Sequence, residues 1–350
     1  MKDNIKQLII PLAAILILAV FNLIADPSFY NISMDVNSDG YRVLSGNLIT
    51  ILDYGSELAI LALGMTLVTA ASGGQDISVG ATIAVGGSVM LRVLCGGNSR
   101  PEQMQAPVIV AFLVGCLVTM LLGAFNGALV AYFRIQPMIA TLILFTAGRS
   151  IAAWVNHNEL PIIKEASFGV YGGFIPGVPV PTPLFIAIIC MIVMALLLKF
   201  TNLGLYTQSV GINESSSRLN GLNPELIKLL SFVILGVCVA VAALIKVSRI
   251  QTINYSVIAK DIEMDAILAV ALGGNALSGG KFNMWASVLG AYTIQFLTTT
   301  LFKLKVPSDA LPAYKAVVVI LLVVMSSPAV REKLAVLKKR FVKSPGKEAA

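Results

Sequence analysis

Histidine is almost missing from this sequence: His157 is the only one in 350 residues. It lies in the polar stretch "NHNE" with no second histidine and no cysteine nearby, which excludes an imidazole-based metal centre or nucleophile pair and leaves a solvated loop residue. Cysteine is scarce as well. Cys95, Cys116, Cys190 and Cys238 all fall within or at the ends of apolar stretches, so no disulfide framework is expected and they read as packing residues. Charge is the third shortage: Asp, Glu, Lys and Arg make up 12% of the chain against 57% hydrophobic residues. With a mean hydropathy of +0.86, the apolar surface exceeds what one soluble core could hide. The longest polar stretches, 26–47, 156–182 and 201–227, are each too short to bury a core of their own, which excludes a soluble catalytic domain. No cluster of His, Asp or Ser marks a membrane-embedded enzyme either.

What is present is a series of apolar runs of roughly 17 to 25 residues, the length that crosses hydrocarbon. They lie near 8–25, 47–70, 77–95, 107–133, 137–155, 183–200, 228–247, 262–280, 283–302 and 310–327. The expected fold is an all-α integral membrane protein of about ten transmembrane helices, some broken by Gly-rich segments. Residues 1–330 form a single transmembrane domain and 331–350 a basic tail. Lys2 and Lys6 precede the first run, and Arg331, Lys333, Lys338, Lys339, Arg340, Lys343 and Lys347 follow the last. The positive-inside tendency then puts both termini in the cytoplasm, as an even number of spans requires. The first run is long and ends in "IADPSFY", so it reads as a retained helix rather than a cleaved signal. The net charge of +7 is a membrane-surface feature, and no nucleic-acid partner is expected.

"NALSGGKF" (Asn275 to Phe282) imitates the signature loop of ABC-type ATPases, and "SGGQD" (Ser72 to Asp76) looks like a second copy. A phosphate-binding loop is nevertheless missing. It needs Gly, four residues, then Gly-Lys and a hydroxyl residue, whereas Gly280-Lys281 has Asn275 and Phe282 at the outer positions and Gly346-Lys347 has Phe341 at the first. The chain is not expected to handle nucleotide.

The same small residues have another meaning inside lipid. Two stretches, "LGMTLVTAASGGQDISVGATIAVGGSVM" (Leu63 to Met90) and "MDAILAVALGGNALSGGKFNMWASVLGA" (Met264 to Ala291), each place glycines and a polar residue between apolar segments. A helix break in a bilayer is tolerated only where it packs on protein or lines a watery cavity, so such breaks point to a pathway. Close helix packing accounts better for Gly86, Gly87, Gly123, Gly127 and Gly290. Gly73-Gly74 with Asp76, and Gly273-Gly274 with Asn275, read as a functional bend or a cytoplasmic elbow. The match of "SGGQ" to "SGGK" hints at an internal duplication.

Intramembrane charge is costly and marks a pathway, a pair or a helix end. Asp53, Glu57, Asp76, Asp265, Arg149 and Lys315 are the candidates, most of them near span ends, where interfacial placement is the competing reading. Asp265 stands out because it starts a broken segment among small residues that could admit a partner; Asp76 reads equally well as a cap for the helix that follows.

Between the sixth and seventh runs lies "KFTNLGLYTQSVGINESSSRLNGLNPELIKLL" (Lys199 to Leu230). A short helix over Asn213 to Leu219 is bracketed by Gly211 and Gly221, and Pro224 opens the next helix. That shape suits docking of a soluble partner, with an ordinary connecting loop as the alternative.

"LGMTLVTAASGGQDISVGATIAVGG", "GLYTQSVGINESSSRLNGLN" and "MDAILAVALGGNALSGGK" together resemble the permease subunits of bacterial binding-protein-dependent ABC importers for simple sugars, of the ribose, xylose and galactofuranose type. The resemblance covers nearly the whole chain, in order and at the expected spacing. It implies a multi-pass protein of the bacterial inner membrane that moves a monosaccharide-class solute by alternating access. Its implied partners are cytoplasmic ABC ATPase subunits, an extracytoplasmic solute-binding protein, a second permease copy or paralogue, and membrane lipid. ATP and Mg would sit on the partner ATPase, with no cofactor in this chain. Gly211, Asn213, Ser217, Arg218, Leu219 and Gly221 match the stretch that touches the ATPase in that family. Gly73, Gly74, Gln75, Asp76, Ser78 and Gly80, with Asp265, Gly273, Gly274, Asn275, Gly279 and Gly280, match its two most recognisable membrane motifs and are expected around the translocation path.

Departures from the family are Gln75 where Ile is common, Asn275 where Thr or Ala is usual, and "DIEMDAI" for Glu-Leu-Asp-Ala-Ile. The alternative solutes are a branched-chain amino acid, a nucleoside or an autoinducer-2-like sugar. An ion-coupled secondary transporter would want carboxylates midway through its spans, whereas the charges here lie near span ends.

Overall fold

The computed structural model describes residues 2–36 and 40–326. Thirteen α-helices run through them in chain order: α1 (Lys2–Ala25), α2 (Asn47–Ser72), α3 (Val79–Leu94), α4 (Val108–Ala131), α5 (Pro137–Val155), α6 (Ala166–Gly169), α7 (Thr182–Phe200), α8 (Leu203–Ile212), α9 (Glu214–Leu219), α10 (Pro224–Ile250), α11 (Ile262–Leu272), α12 (Met284–Lys303) and α13 (Leu311–Ser326). Their ends follow local chemistry. Proline opens α5, α7 and α10 in the first turn, where its missing N–H costs nothing. The Asn223 side chain accepts the Leu226 amide at 3.0 Å to cap α10.

Among the described residues, six helices are long and apolar enough to cross a membrane: α1, α2, α4, α5, α7 and α10. The other expected runs map onto α3 and α13, each of 16 residues, onto the Thr-rich 20-residue α12, and onto α11. The run expected over 262–280 is a correction: its helix is only 11 residues long and stops at Leu272, and the chain continues through 273–283 without helix. The expected basic tail over 331–350 lies outside the described residues.

Helices α2 and α10 form the centre, each burying 67% of its most apolar window, whereas α7 buries 17% and α1 and α4 22%. The outer helices therefore present apolar faces to the surroundings, with Leu16, Leu113, Leu121, Ile139, Ile189 and Val193 all exposed, as a lipid solvent requires. The α4–α10 contact is made through glycines. A Cβ on Gly123 would lie 2.5 Å from the Phe232 carbonyl, and one on Gly236 2.6 Å from the Thr119 carbonyl, so neither helix could approach as closely with alanine there.

Between α10 and α11 the chain runs from 251 to 261 without helix, yet Ile253, Ile258 and Ala259 are buried. Backbone carbonyls in such a segment need donors. Arg149 of α5 supplies two, its Nη1 donating to the Tyr255 and Ile258 carbonyls at 2.9 and 3.0 Å.

A small antiparallel hairpin, β1 (Ser33–Val36) with β2 (Arg42–Ser45), sits beyond α1, with Met34 opposite Leu44. The Leu44 amide donates to the Pro179 carbonyl at 2.9 Å, and Asp26 pairs with Lys303 at 3.2 Å. The hairpin segment thus lies at the C-terminal end of α12, and the Gly-rich loop 273–283 at its N-terminal end.

Candidate functional site: a glycine junction beneath a docking loop

The two "SGG" stretches, 206 residues apart in the chain, touch. Helix α2 ends on Gly73 in the left-handed conformation at φ +65°, which leaves its last carbonyls free to be met from outside. The Gly280 amide donates to the Ala70 carbonyl at 2.9 Å, and the Gln75 Nε2 donates to the Leu277 carbonyl at 3.1 Å. Backbone meets backbone here: a Cβ on Gly279 would lie 3.0 Å from the Gly73 Cα, and one on Gly73 2.8 Å from the Ser278 carbonyl.

Gly211 closes the junction from a third side. It is the penultimate residue of α8, and a Cβ there would sit 1.8 Å from the Ala70 carbonyl and 2.5 Å from the Gly280 nitrogen. Only glycine leaves room. The loop expected to dock a partner is therefore joined at one point to both Gly-rich breaks.

The rest of that loop turns outward. Asn213 caps α9, its side chain accepting the Ser216 amide at 2.9 Å. Ser217 is buried, while Leu219 is 90% exposed at the tip and Gly221 follows it in open space at φ +80°. Arg218 bonds Glu214 at 3.5 Å and also Glu225, and the Glu225 bond holds its guanidinium pKa above the ordinary value. Lys228 reaches Glu214 at 2.5 Å. Between α9, the end of α2 and the α4–α5 turn lies an open cavity of about 440 Å³, lined by Ser72, Arg134, Glu214, Ser215, Arg218 and Lys228. Arg134, Arg218 and Lys228 line it with Glu214, and Glu225 offsets part of the Arg218 charge, which leaves a net positive charge around the cavity.

The remaining residues of the first break form a buried polar knot. Asp76 accepts the Ser78 amide at 2.7 Å, the Ser78 hydroxyl at 2.6 Å and the Asn126 Nδ2 at 3.2 Å. Its carboxylate satisfies the backbone just before α3, close to the capping role expected for it. Gly74 packs on Pro137, and Gly80 lies against the Ala259 carbonyl and the buried Glu263 side chain.

In the second break Asn275 acts as a staple. Its Oδ1 accepts the Asn283 amide at 2.6 Å and its Nδ2 donates to Ser287 at 2.8 Å and to the Val270 carbonyl at 3.2 Å, holding loop 275–283 shut across the start of α12. Thr66 of α2 donates to the same Ser287 at 2.7 Å. Gly273 abuts the Ala286–Ser287 backbone, and Gly274 takes φ +71° beside Gln7 and Ile10. Asp265 finds the partner its small neighbours admit: Lys315 of α13, at 2.7 Å. Gln75 and Asn275 are both buried, the Gln75 amide nitrogen bonded to backbone and Asn275 to backbone and the Ser287 hydroxyl.

Sequence reasoning singled out Asp53 and Glu57 but missed Lys246 and Arg249, the cations that pair with them. Glu57 is buried eleven residues into α2, bonded to Lys246 at 2.8 Å and to Arg249 of α10, while Arg249 also pairs with Asp53 at 2.8 Å and stacks over Tyr54 with 4.1 Å to the ring centroid. Arg249 and Lys246 lie near the end of α10 and Asp53 near the start of α2, so Glu57 alone departs from the expected placement near span ends. A signal was present, because Asp53/Glu57 at i, i+4 and Lys246/Arg249 at i, i+3 put complementary charges on single faces of two apolar helices. His157 and the cysteines stand as expected: the imidazole is exposed just past α5, and all four thiols are free.

Residues 47–326 match a family model described as "Branched-chain amino acid transport system / permease component". The chain belongs to that permease family. A fructose import permease of Bifidobacterium longum is 34% identical to it over 97% of this chain and 93% of the relative. A galactofuranose transporter permease of Escherichia coli is 36% identical over 90% of this chain and 88% of the relative, and a ribose import permease of the same species is 31% identical over 90% and 92%. The permease is accordingly a multi-pass protein of the bacterial inner membrane, its apolar outer helices facing lipid.

Proposed function

We propose that the chain is the membrane subunit of an ABC importer and carries a monosaccharide-class solute into the cytoplasm by alternating access. Separate ATPase subunits supply the energy, an extracytoplasmic binding protein delivers the solute, and a second permease copy or paralogue completes the pore. The observation that carries the reading is the junction at Gly211, where the docking loop meets both Gly-rich breaks on bare backbone. A pull on α8 and α9 would act directly on the Ala70 carbonyl and Gly280, so movement of the partner ATPases would bias the inward- and outward-open states. The family description prints a branched-chain amino acid system, but the relatives matched along most of their length are named for fructose, galactofuranose and ribose, which favours a sugar.

In this reading loop 201–227 and both termini are cytoplasmic, Leu219 and the basic cavity beside Arg218 receive an ATPase surface, and the hairpin faces the binding protein. Asp76, Ser78, Asp265 and the glycines of both breaks border the path. The chain itself performs no covalent chemistry. The test is uptake into vesicles that contain the permease together with its ATPase and binding protein. Radiolabelled sugar should accumulate only with ATP and all partners present, and the permease alone should hydrolyse no ATP; uptake driven by an ion gradient without ATP would overturn the reading.

A further inference from the structure

On the outer side of the bundle, α7 and the start of α12 leave a groove of about 300 Å³ over the centre helix α2. Its floor is buried Leu63 and Met284, and one wall is Met191, Ala195 and Leu198. Those three wall residues follow i, i+4, i+7 spacing, so they form a line about 10 Å long on one helix face. All of this lining is apolar. Polarity comes from Lys199 of α7 and Trp285 of α12, which also line the groove and are both exposed.

The charge there is one-sided. Among the described residues Lys199 has no acidic partner; its ammonium lies 5.9 Å from the Phe200 ring, itself 78% exposed. The Trp285 indole N–H has no partner there either. Trp285 is the second residue of the 20-residue α12, whose first-turn amides add partial positive charge, and Lys281 precedes that helix, exposed and unpaired among the described residues. An apolar slot lined also by a cation and an interfacial tryptophan fits a molecule with a hydrocarbon tail and an anionic head.

We propose that this groove binds one anionic glycerophospholipid, an acyl chain lying along Met191, Ala195 and Leu198 and the headgroup phosphate held between Lys199 and Trp285. Charge complementarity selects this occupant over a zwitterionic lipid. A second protein copy would have to bury Lys199 with a carboxylate of its own. The position also gives the lipid leverage, since Lys199 is the penultimate residue of the wall helix and α8 begins at Leu203.

The test is native mass spectrometry of the full-length permease extracted from vesicles of phosphatidylcholine and phosphatidylglycerol in equal parts. The wild type should retain phosphatidylglycerol in preference, and Lys199→Gln should lower that preference about fivefold, the effect of one cation at a membrane surface. Lys199→Arg should keep it. Ala195→Trp, which fills the slot, should release the bound lipid altogether. Equal retention of the two lipids by the wild type, or an unchanged preference in Lys199→Gln, which alters only an exposed side chain, would overturn the proposal. So would an Ala195→Trp protein that keeps its lipid but dissociates from a dimer, because the groove would then belong to a second copy.

Discussion

The Gly280 amide reaches the Ala70 carbonyl across 2.9 Å, tying the loop before α12 to the last turn of α2. Gly211 rests on that same carbonyl. One acceptor near the end of a central helix thus gathers two glycine breaks and the loop that we propose meets the partner ATPase.

Gly211→Val tests the crowding directly. With 1.8 Å available to a Cβ, the side chain must push α8 off the Ala70 carbonyl. Overpacking of this kind costs about 1–3 kcal/mol, enough to move a two-state equilibrium about 5- to 150-fold. Sugar-stimulated ATP hydrolysis by the assembled complex should fall by that order while the complex still co-purifies. Gly221→Ala, where the space is open and only the positive φ resists, should cost about 1 kcal/mol and leave coupling nearly intact.

Arg218→Glu should break the bonds to Glu214 and Glu225 and reverse one of the three cations around the cavity beneath α9. Membrane insertion should be normal, with stimulation of the ATPase by solute abolished. Unchanged stimulation would remove Arg218 from the coupling surface.

Gln75 and Asn275 hold backbone, so their variants should change rate rather than preference. Gln75→Ile leaves the Leu277 carbonyl without its donor, and Asn275→Thr strips the Asn283 amide of its acceptor. Each buried orphan costs about 1–3 kcal/mol. Uptake measured over a panel of pentoses and hexoses should slow for every sugar in the same rank order; a reordered panel would show that one of these side chains meets the solute.

The buried ion cluster predicts a stability effect. Glu57→Ala leaves Lys246 without its carboxylate and Arg249 with Asp53 alone, in a site where Glu57 is 1% exposed. Removing one member of a buried pair costs about 3–5 kcal/mol. Thermal unfolding in detergent should shift down accordingly, and replacing Glu57 and Lys246 together by apolar residues should recover part of the loss.

The membrane class and most helix positions were legible because hydrophobic length is a direct physical requirement of lipid, and α2, α4, α5 and α7 begin and end within about two residues of the apolar runs. The glycine breaks were legible for the same reason: a cluster such as Gly73-Gly74-Gln75-Asp76 interrupts an otherwise continuous run. Their mutual contact was not, since nothing in the order of residues says that Gly73 will meet Gly279. Helix α8 was missed because Gly204 and Gly211 look like breakers, and its helix persists through packing that only the folded chain supplies. The non-helical stretch 251–261 contains no glycine at all; Ala259 and Asp261 take positive φ there, held by neighbours such as Arg149.

The most direct test joins the two breaks covalently. Gln75→Cys with Leu277→Cys, in a chain whose four native cysteines are replaced, puts one thiol on each of two segments now held together by the 3.1 Å bond from the Gln75 side chain to the Leu277 backbone carbonyl. Bridging them with a short thiol crosslinker in vesicles that contain the complete importer should stop sugar uptake, and a cleavable version should restore uptake on reduction. Undiminished uptake with the bridge in place would show that the two glycine breaks need not move relative to one another, and would contradict the account.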